Sequence, residues 1–332
     1  MLIVTIKDIM LIIILMGVRM KNLFCEGLVE NDVSKLLLVP KSDLHNHSGK
    51  GCTIEWLKEK LKVNIPNQPA SFDGLEGMQQ WFTETIKPYC IGAEGLLIRW
   101  EGAFAEAKRN NIKRLSMNFD VSVIDLVGGM DVFVRTINEY HNRYCPDIVF
   151  EPELTYLSCC DIAQESDKMD DYFSSGFFKS IDVCGGENIQ PFEIFLPLYR
   201  KAEKYHLLKR MHVGETGSAE DVKKAVEILG LQEIHHGINA ATSPEVMAFL
   251  ADNQIQLNVC PSSNVKLRYV ADYKYHPIRI LYESGVKVTI NTDDLLLFGS
   301  TIENEYLLLY RAGVLSAEQL NDIRENGLNS RI

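Results

Sequence analysis

None of the eight cysteines stands in a C-x-x-C pair, and their scatter supplies neither a thiolate zinc site nor a disulfide framework. Several (Cys159, Cys160, Cys184 and Cys260) lie in apolar runs, which reads as reduced, buried thiols of a cytoplasmic protein. Basic residues are also short. With 34 Lys+Arg against 45 Asp+Glu the formal net charge is −11, which argues against a nucleic-acid polymer as partner but not against a small uncharged ligand. No membrane is expected either, because the apolar run at 9–16 falls well below the about 20 residues a span needs. Repeats, linkers and low-complexity tracts are missing, so one domain is the default.

The N-terminus fits no targeting template. A signal peptide wants net positive charge before its apolar run and a small-residue cleavage site after it; here Lys7 is offset by Asp8, and Gly17, Val18, Arg19, Met20 and Lys21 follow. Three readings stand open: an upstream start with Met20 as the working one, a weak export or anchor segment, or a packing strand. The chain is accordingly divided into an extension, 1–35, and a barrel, 36–332.

At 332 residues and 46% apolar content the chain can bury a large single core. Short apolar or β-branched runs at 42–47, 112–119, 148–157, 177–184, 208–213, 233–237, 255–260 and 286–291 alternate with helical patterns. Ser218 opens one such helix and Gly230 stops it; Ser243 with Pro244 opens another. Eight strands separated by helices predict an α/β fold, a single (β/α)8 TIM-type barrel. The stretch 48–110 is too long for one crossover and predicts extra helices over the C-terminal mouth.

Ionisable residues collect where those strands end. His45 and His47 close the first, His212 and Glu215 follow the fifth, His236 the sixth, and Asp293 and Asp294 the eighth. In such a barrel the strand ends form the working rim, so these residues converge. A His-x-His pair on a strand shares one face. With His212 and Asp293 it offers nitrogen and carboxylate donors without thiolates, the set of a catalytic zinc. Glu215 is placed to give a proton to a substrate nitrogen, the alternative being a first-turn acid favoured by a helix dipole. Strand alternation lets only one of His235 and His236 face inward. His236 is the better candidate, with His235 packed on the other side. Asp293 and Asp294 are expected to divide metal and substrate between them. His141 and His206 read as solvated, and His276 as a helix-start residue.

Taken in order, HVGETGSAEDVKKAVEILG, IHHGIN, CPSSNVKL and GVKVTINTDD with FGSTIENEY resemble the adenosine deaminase family of the zinc-barrel amidohydrolases, from about Leu38 to the end. The resemblance implies one zinc per chain held by His45, His47, His212 and Asp293. It implies Glu215 as proton donor to purine N1 and His236 as the residue that orients and deprotonates the attacking water. Asp294 would meet N7, and Gly185, in IDVCG, would meet N3 through its backbone amide, with His47 also beside the substrate. The activity implied is hydrolytic deamination of adenosine, and of 2′-deoxyadenosine or a 5′-modified adenosine, so the partner is a small purine nucleoside. The alternatives are adenine, AMP or another modified adenine nucleoside as substrate, or a non-catalytic purine-binding module. Cytidine-type zinc deaminases are excluded, because their H-x-E…P-C-x-x-C signature does not occur.

Two departures stand out. The family follows its His-x-His pair with leucine, aspartate and glycine, where this chain has Ser48, Gly49 and Lys50. Loss of the aspartate, which usually contacts the ribose 5′-hydroxyl, predicts tolerance of a substituted or anionic 5′ end, against the plain alternative that Lys50 points to solvent. The chain also ends near where the family's final helices begin, which is read as a sign of truncation. Oligomeric state is not written in the sequence.

Overall fold

The computed structural model of the chain describes residues 6–330. Among the described residues, nine short strands run parallel within two sheets. β1 (Lys41–His47), β2 (Ile112–Asp120), β3 (Val149–Leu157), β4 (Ser180–Cys184) and β5 (Leu208–Lys209) form the first; β6 (His212–Val213), β7 (Glu233–His236), β8 (Gln256–Val259) and β9 (Lys287–Ile290) form the second. Every predicted run carries a strand, and the fifth is broken in two. At the break the chain changes partners: Arg210 N donates to Ile181 O at 2.9 Å on one side, and His235 N donates to Met211 O at 2.9 Å on the other. The far edges also meet, through Asp293 N to His45 O at 2.9 Å and His47 N to Asp293 O at 3.1 Å.

The helices between strands form for the reasons their sequences give. Ser218 and Asp221 make a reciprocal capping box at the start of Ala219–Leu229, and Gly230 closes that helix in the left-handed region at φ 66°. Val222, Ala225, Val226 and Leu229 lie on its buried face, and each of its larger aliphatic side chains contributes about 1.5–3 kcal/mol on full burial. Ser243 caps Pro244–Asp252 by accepting from Val246 N. The long segment after β1 supplies helices Ile54–Leu61, Gly74–Trp81 and Gly92–Arg109. It builds a second apolar cluster, in which Ile54, Leu57, Phe72, Met78 and Phe82 pack with Leu267 and Leu296 to Phe298 from the segments after β8 and β9. The covering segment is thereby fixed to the strand ends it overlies.

The N-terminal apolar run lies in a helix, Ile6–Val29, so the packing-strand reading is set aside. A run of eight apolar residues has the length of two helical turns, and periodicity alone does not separate it from a strand. No helix among the described residues is long and apolar enough to cross a membrane. Phe24 and Leu28 are buried, with the Phe24 ring 5.2 Å from Tyr306, while Leu15 and Val18 are exposed. Two smaller expectations also change. Cys159 is exposed, not buried, because it sits in the turn after β3 and not within a strand. His141 is half-buried, its ring 5.2 Å from Phe150 and its Nε2 3.2 Å from Ile148 O, so an apolar wall and a carbonyl replace the expected solvent. His206 is exposed as expected.

Candidate active site

Six of the predicted site residues meet at the C-terminal ends of the strands. β1 delivers His45 and His47 on one face, and the segment after β9 brings Asp293 against them. Asp293 Oδ1 is 3.4 Å from His45 Nε2 and 3.3 Å from His47 Nε2; its Oδ2 is 3.8 Å from His236 Nε2. His212 completes the group, its ring centroid 4.7 Å from that of His45. Ligand nitrogens of His45, His47 and His212 lie within 4.8 Å of one another. Two ligands about 2 Å from one tetrahedral zinc are ~3.3 Å apart, a spacing that the Asp293 contacts to His45 and His47 match. His45 Nε2 is also buried without a hydrogen-bond partner among the described residues, an orphan that a metal would satisfy.

The other ring nitrogens are tied down from behind. His212 Nδ1 lies 3.0 Å from the Asp182 carboxylate, and His45 Nδ1 is within 3.4 Å of Asn258 O and 3.3 Å of Cys260 Sγ. Such partners fix the tautomer and leave Nε2 for the metal. Burial pushes the Cys260 thiol well up, so it offers a neutral S–H and no thiolate.

His236 and His235 both face inward, which strand alternation forbids. The reason is backbone: His236 adopts φ 64° and Gly237 φ 67°, so the strand turns over at its last residue. His235 enters the interior one level down, its Nε2 2.8 Å from Glu153 Oε1. There Arg210 joins Glu153 at 2.9 Å and Glu233 at 2.8 Å, a buried charge network beneath the site. His235 therefore packs inside, beneath His45, and not on the other face.

Glu215 sits on the turn after β6, with Oε1 3.4 Å from His236 Nδ1. Burial, followed by the charges of Asp293 and Glu187, pushes its carboxyl well above the usual range. The shift favours the protonated form, the one an acid catalyst uses. Burial presses the His236 imidazole down to about 3 against the pull of Asp293, which leaves the ring neutral. Asp293 goes the other way: burial favours its neutral form, but the His47 hydrogen bond and the His236 charge hold it below the usual carboxylate range.

Gly185 follows β4 at φ 107° and lines the cavity; a Cβ there would come 3.1 Å from Ser158 Oγ. Asp294 is 2% exposed and binds Lys50 Nζ through Oδ2 at 2.9 Å. Lys50 therefore turns into the cavity, not to solvent, because a buried carboxylate waits across from it. The cavity measures about 560 Å³ and is roofed by Leu75, Met78 and Gln79 of the covering segment.

Three residues that the motifs did not assign complete the site. Asn264, in the CPSSNVKL stretch, donates to Glu215 Oε1 at 3.0 Å and lies 3.3 Å from His236 Nδ1. His276 holds Asn264 Oδ1 at 3.2 Å, and its Nδ1 accepts from Ile278 N at 3.2 Å, so it does start a helix as predicted. Glu187 gathers backbone N–H groups of Gly214, Glu215, Thr216 and Gly217 onto one carboxylate at 2.6–3.1 Å. Asp182 was detectable as an acid inside the apolar run 177–184, a position that needs a partner; Glu187 had no such signal.

Residues 160–332, just over half of the chain, match the family described as adenosine deaminase. A protein provisionally named adenosine/adenine deaminase from Treponema pallidum (strain Nichols) is 33% identical over 289 residues, which is 86% of this chain and 97% of that protein. The crystal structure of an adenine deaminase from Arthrobacter aurescens superposes with a TM-score of 0.76 at 20% identity, covering 88% of this chain and 94% of that one. A zinc-bound amidohydrolase from Burkholderia ambifaria gives 0.71 at 17% identity, covering 89% and 86%.

Proposed function

The chain belongs to the adenosine deaminase family and is a hydrolase of adenosine/adenine-deaminase type, and on that premise we propose that it deaminates adenosine, with 2′-deoxyadenosine or a 5′-modified adenosine as further substrates. The observation that carries this reading is the placement of Glu215, its carboxyl pushed by burial toward the protonated form, 3.4 Å from His236 at the edge of the His45, His47, His212 and Asp293 group. A pure binding pocket has no use for a buried proton donor.

A divalent metal, zinc on this reading, would be held by His45, His47, His212 and Asp293 and would supply Lewis acidity that makes water acidic enough to attack at neutral pH. The Burkholderia protein, which carries zinc on the same fold, supports that choice. His236 takes the proton of the attacking water. The water oxygen bonds to purine C6 while Glu215 delivers its proton to N1, which removes the ring's aromaticity and admits a tetrahedral carbon. His236 returns its proton to the amino nitrogen as the C6–N6 bond breaks and ammonia leaves, and the C6 hydroxyl gives its proton to the Glu215 carboxylate, so that a 6-oxopurine results. Asn264, bonded to both Glu215 and His236, keeps acid and base in register. Gly185 and Asp294 contact the purine, with His47 beside it. The same reading takes the two sheets, joined at Arg210–Met211 and at Asp293, as one closed eight-stranded barrel, with 36–332 as the catalytic unit and 1–35 as an extension.

The test is loss of adenine absorbance across adenosine, 2′-deoxyadenosine, adenine and AMP, with metal analysis of the same sample. About one equivalent of metal per chain is expected, with most of it gone in His212→Ala. Glu215→Gln should keep its metal and lose ~10²–10⁴-fold in rate. Wild-type turnover by Glu215→Gln, or two stoichiometric metals, refutes the assignment.

A further inference from the structure

Asn264 is fully buried behind Glu215, and its backbone is held at both ends. Its N–H donates to Cys260 O at 3.1 Å, and its carbonyl accepts from Tyr269 N and Val270 N at 2.9 Å. The two ends of a carboxamide have the same shape, so the neighbours of the side chain decide which way it faces. Nδ2 donates to Glu215 Oε1 at 3.0 Å, and Oδ1 meets His276 Nε2 at 3.2 Å.

A backbone amide sets that direction. Ile278 N donates to His276 Nδ1 at 3.2 Å, so Nδ1 presents its lone pair. Burial presses this imidazole down to about 3, which keeps the ring neutral with a single N–H. That N–H is therefore on Nε2, and it donates to Asn264 Oδ1. An Asn264 turned end for end would set N–H against N–H at His276 and oxygen against oxygen at Glu215. The chain of bonds thus runs one way, from Ile278 N–H through His276 and Asn264 to Glu215. At its end Oε1 serves as an acceptor, and its 3.4 Å separation from His236 Nδ1 is long for an O–H donor. The carboxylic proton falls to Oε2, on a side chain that lines the cavity.

We propose that His276 is a positioning residue for the deamination: through Asn264 it holds the acid proton of Glu215 on the oxygen turned to the substrate. This rests on the reading of Glu215 as proton donor given above. His276 itself touches neither substrate nor metal ligand and acts only through the amide it orients.

Glutamine and asparagine divide the two tasks of His276. A glutamine amide reaches the Nε2 position and donates to Asn264 Oδ1. An asparagine carbonyl reaches the Nδ1 position and accepts from Ile278 N, which keeps the helix start and loses the relay. The experiment measures kcat, KM and bound metal for metal-loaded wild type, His276→Gln, His276→Asn and Asn264→Asp, with adenosine and adenine as substrates. His276→Asn should lose about tenfold or more in kcat with KM and metal content held, and His276→Gln should stand at least about fivefold above it. Asn264→Asp keeps the shape but turns an acceptor to Glu215 Oε1 and draws the proton there, so its kcat should fall by ~10²-fold or more, as for a lost general acid. Equal kcat in the two His276 variants, or a larger loss in His276→Gln, makes His276 a helix starter and overturns the relay. Wild-type kcat in Asn264→Asp overturns it as well. In each of these cases the deaminase reading stands, whereas a wild type that deaminates neither substrate overturns both.

Discussion

Glu187 shows how a single side chain shapes the site without touching its contents. Its two oxygens accept from the amides of Gly214, Glu215, Thr216 and Gly217, and so set the turn on which the proton donor rides. Its charge also adds to the burial that raises the Glu215 carboxyl. Glu187→Ala is therefore expected to lower kcat by about tenfold or more while metal content and KM hold, and to move the alkaline limb of the pH–rate profile to lower pH, since one cause of the raised Glu215 pKa is gone. An unchanged profile would reduce Glu187 to a loop staple. Nothing in the sequence announced this residue, because its partners are backbone N–H groups that every residue carries. The His235/His236 pair failed for a related reason: period-two alternation assumes extended backbone, and the left-handed φ of His236 is a tertiary fact. That His45, His47, His212 and Asp293 would come together was legible because each stands at or just after the end of an apolar run.

Among the elements, the turn after β1 and the covering segment decide what enters. Lys50 is committed to Asp294, so tolerance of an anionic 5′ end rests on Gly49. A Cβ built there meets Leu96 Cδ1 at 3.5 Å and Arg99 Nη1 at 3.7 Å, which is ordinary contact. Space for a side chain exists, and it faces a buried guanidinium whose bonds go to the carbonyls of Gly49 and Gly95. Gly49→Asp should therefore fold normally, pair its carboxylate with Arg99, and repel a 5′-phosphate. The ratio of kcat/KM for AMP over adenosine is expected to fall about tenfold, equivalent to about 1.4 kcal/mol of transition-state binding. An unchanged ratio would make the substitution structural. The covering helices were predictable from loop length alone, but their apolar seam with Leu296 to Phe298 was not, since those residues read equally well as barrel core.

For the molecule as a whole, the places and order of the strands followed from apolar runs punctuated by caps, because each run must be buried on both sides by its neighbours, although eight runs gave nine strands in two sheets. What escaped was the polar interior, where Arg210 bridges Glu153 and Glu233 at the break between β5 and β6. Buried charges of this kind leave a pH signature in global stability, and Glu305 gives the cleanest one. It is fully buried, accepts from Ser262 N at 2.9 Å, and its other oxygen is unmet among the described residues. Burial outweighs the hydrogen bonding from Ser262 and raises its carboxyl to about 7, while an unfolded chain releases the proton near the ordinary glutamate value. The native state thus binds more protons than the unfolded one between these limits. Its contribution to stability is complete below about pH 4.3 and fades as pH rises to about 7. Glu305→Gln keeps the shape and removes the titration. Thermal unfolding followed from pH 5 to 8 should show wild-type Tm falling more steeply than that of the variant, with the two curves converging or crossing toward high pH. Parallel curves would place the Glu305 proton elsewhere and its carboxylate, charged, in contact with a cation.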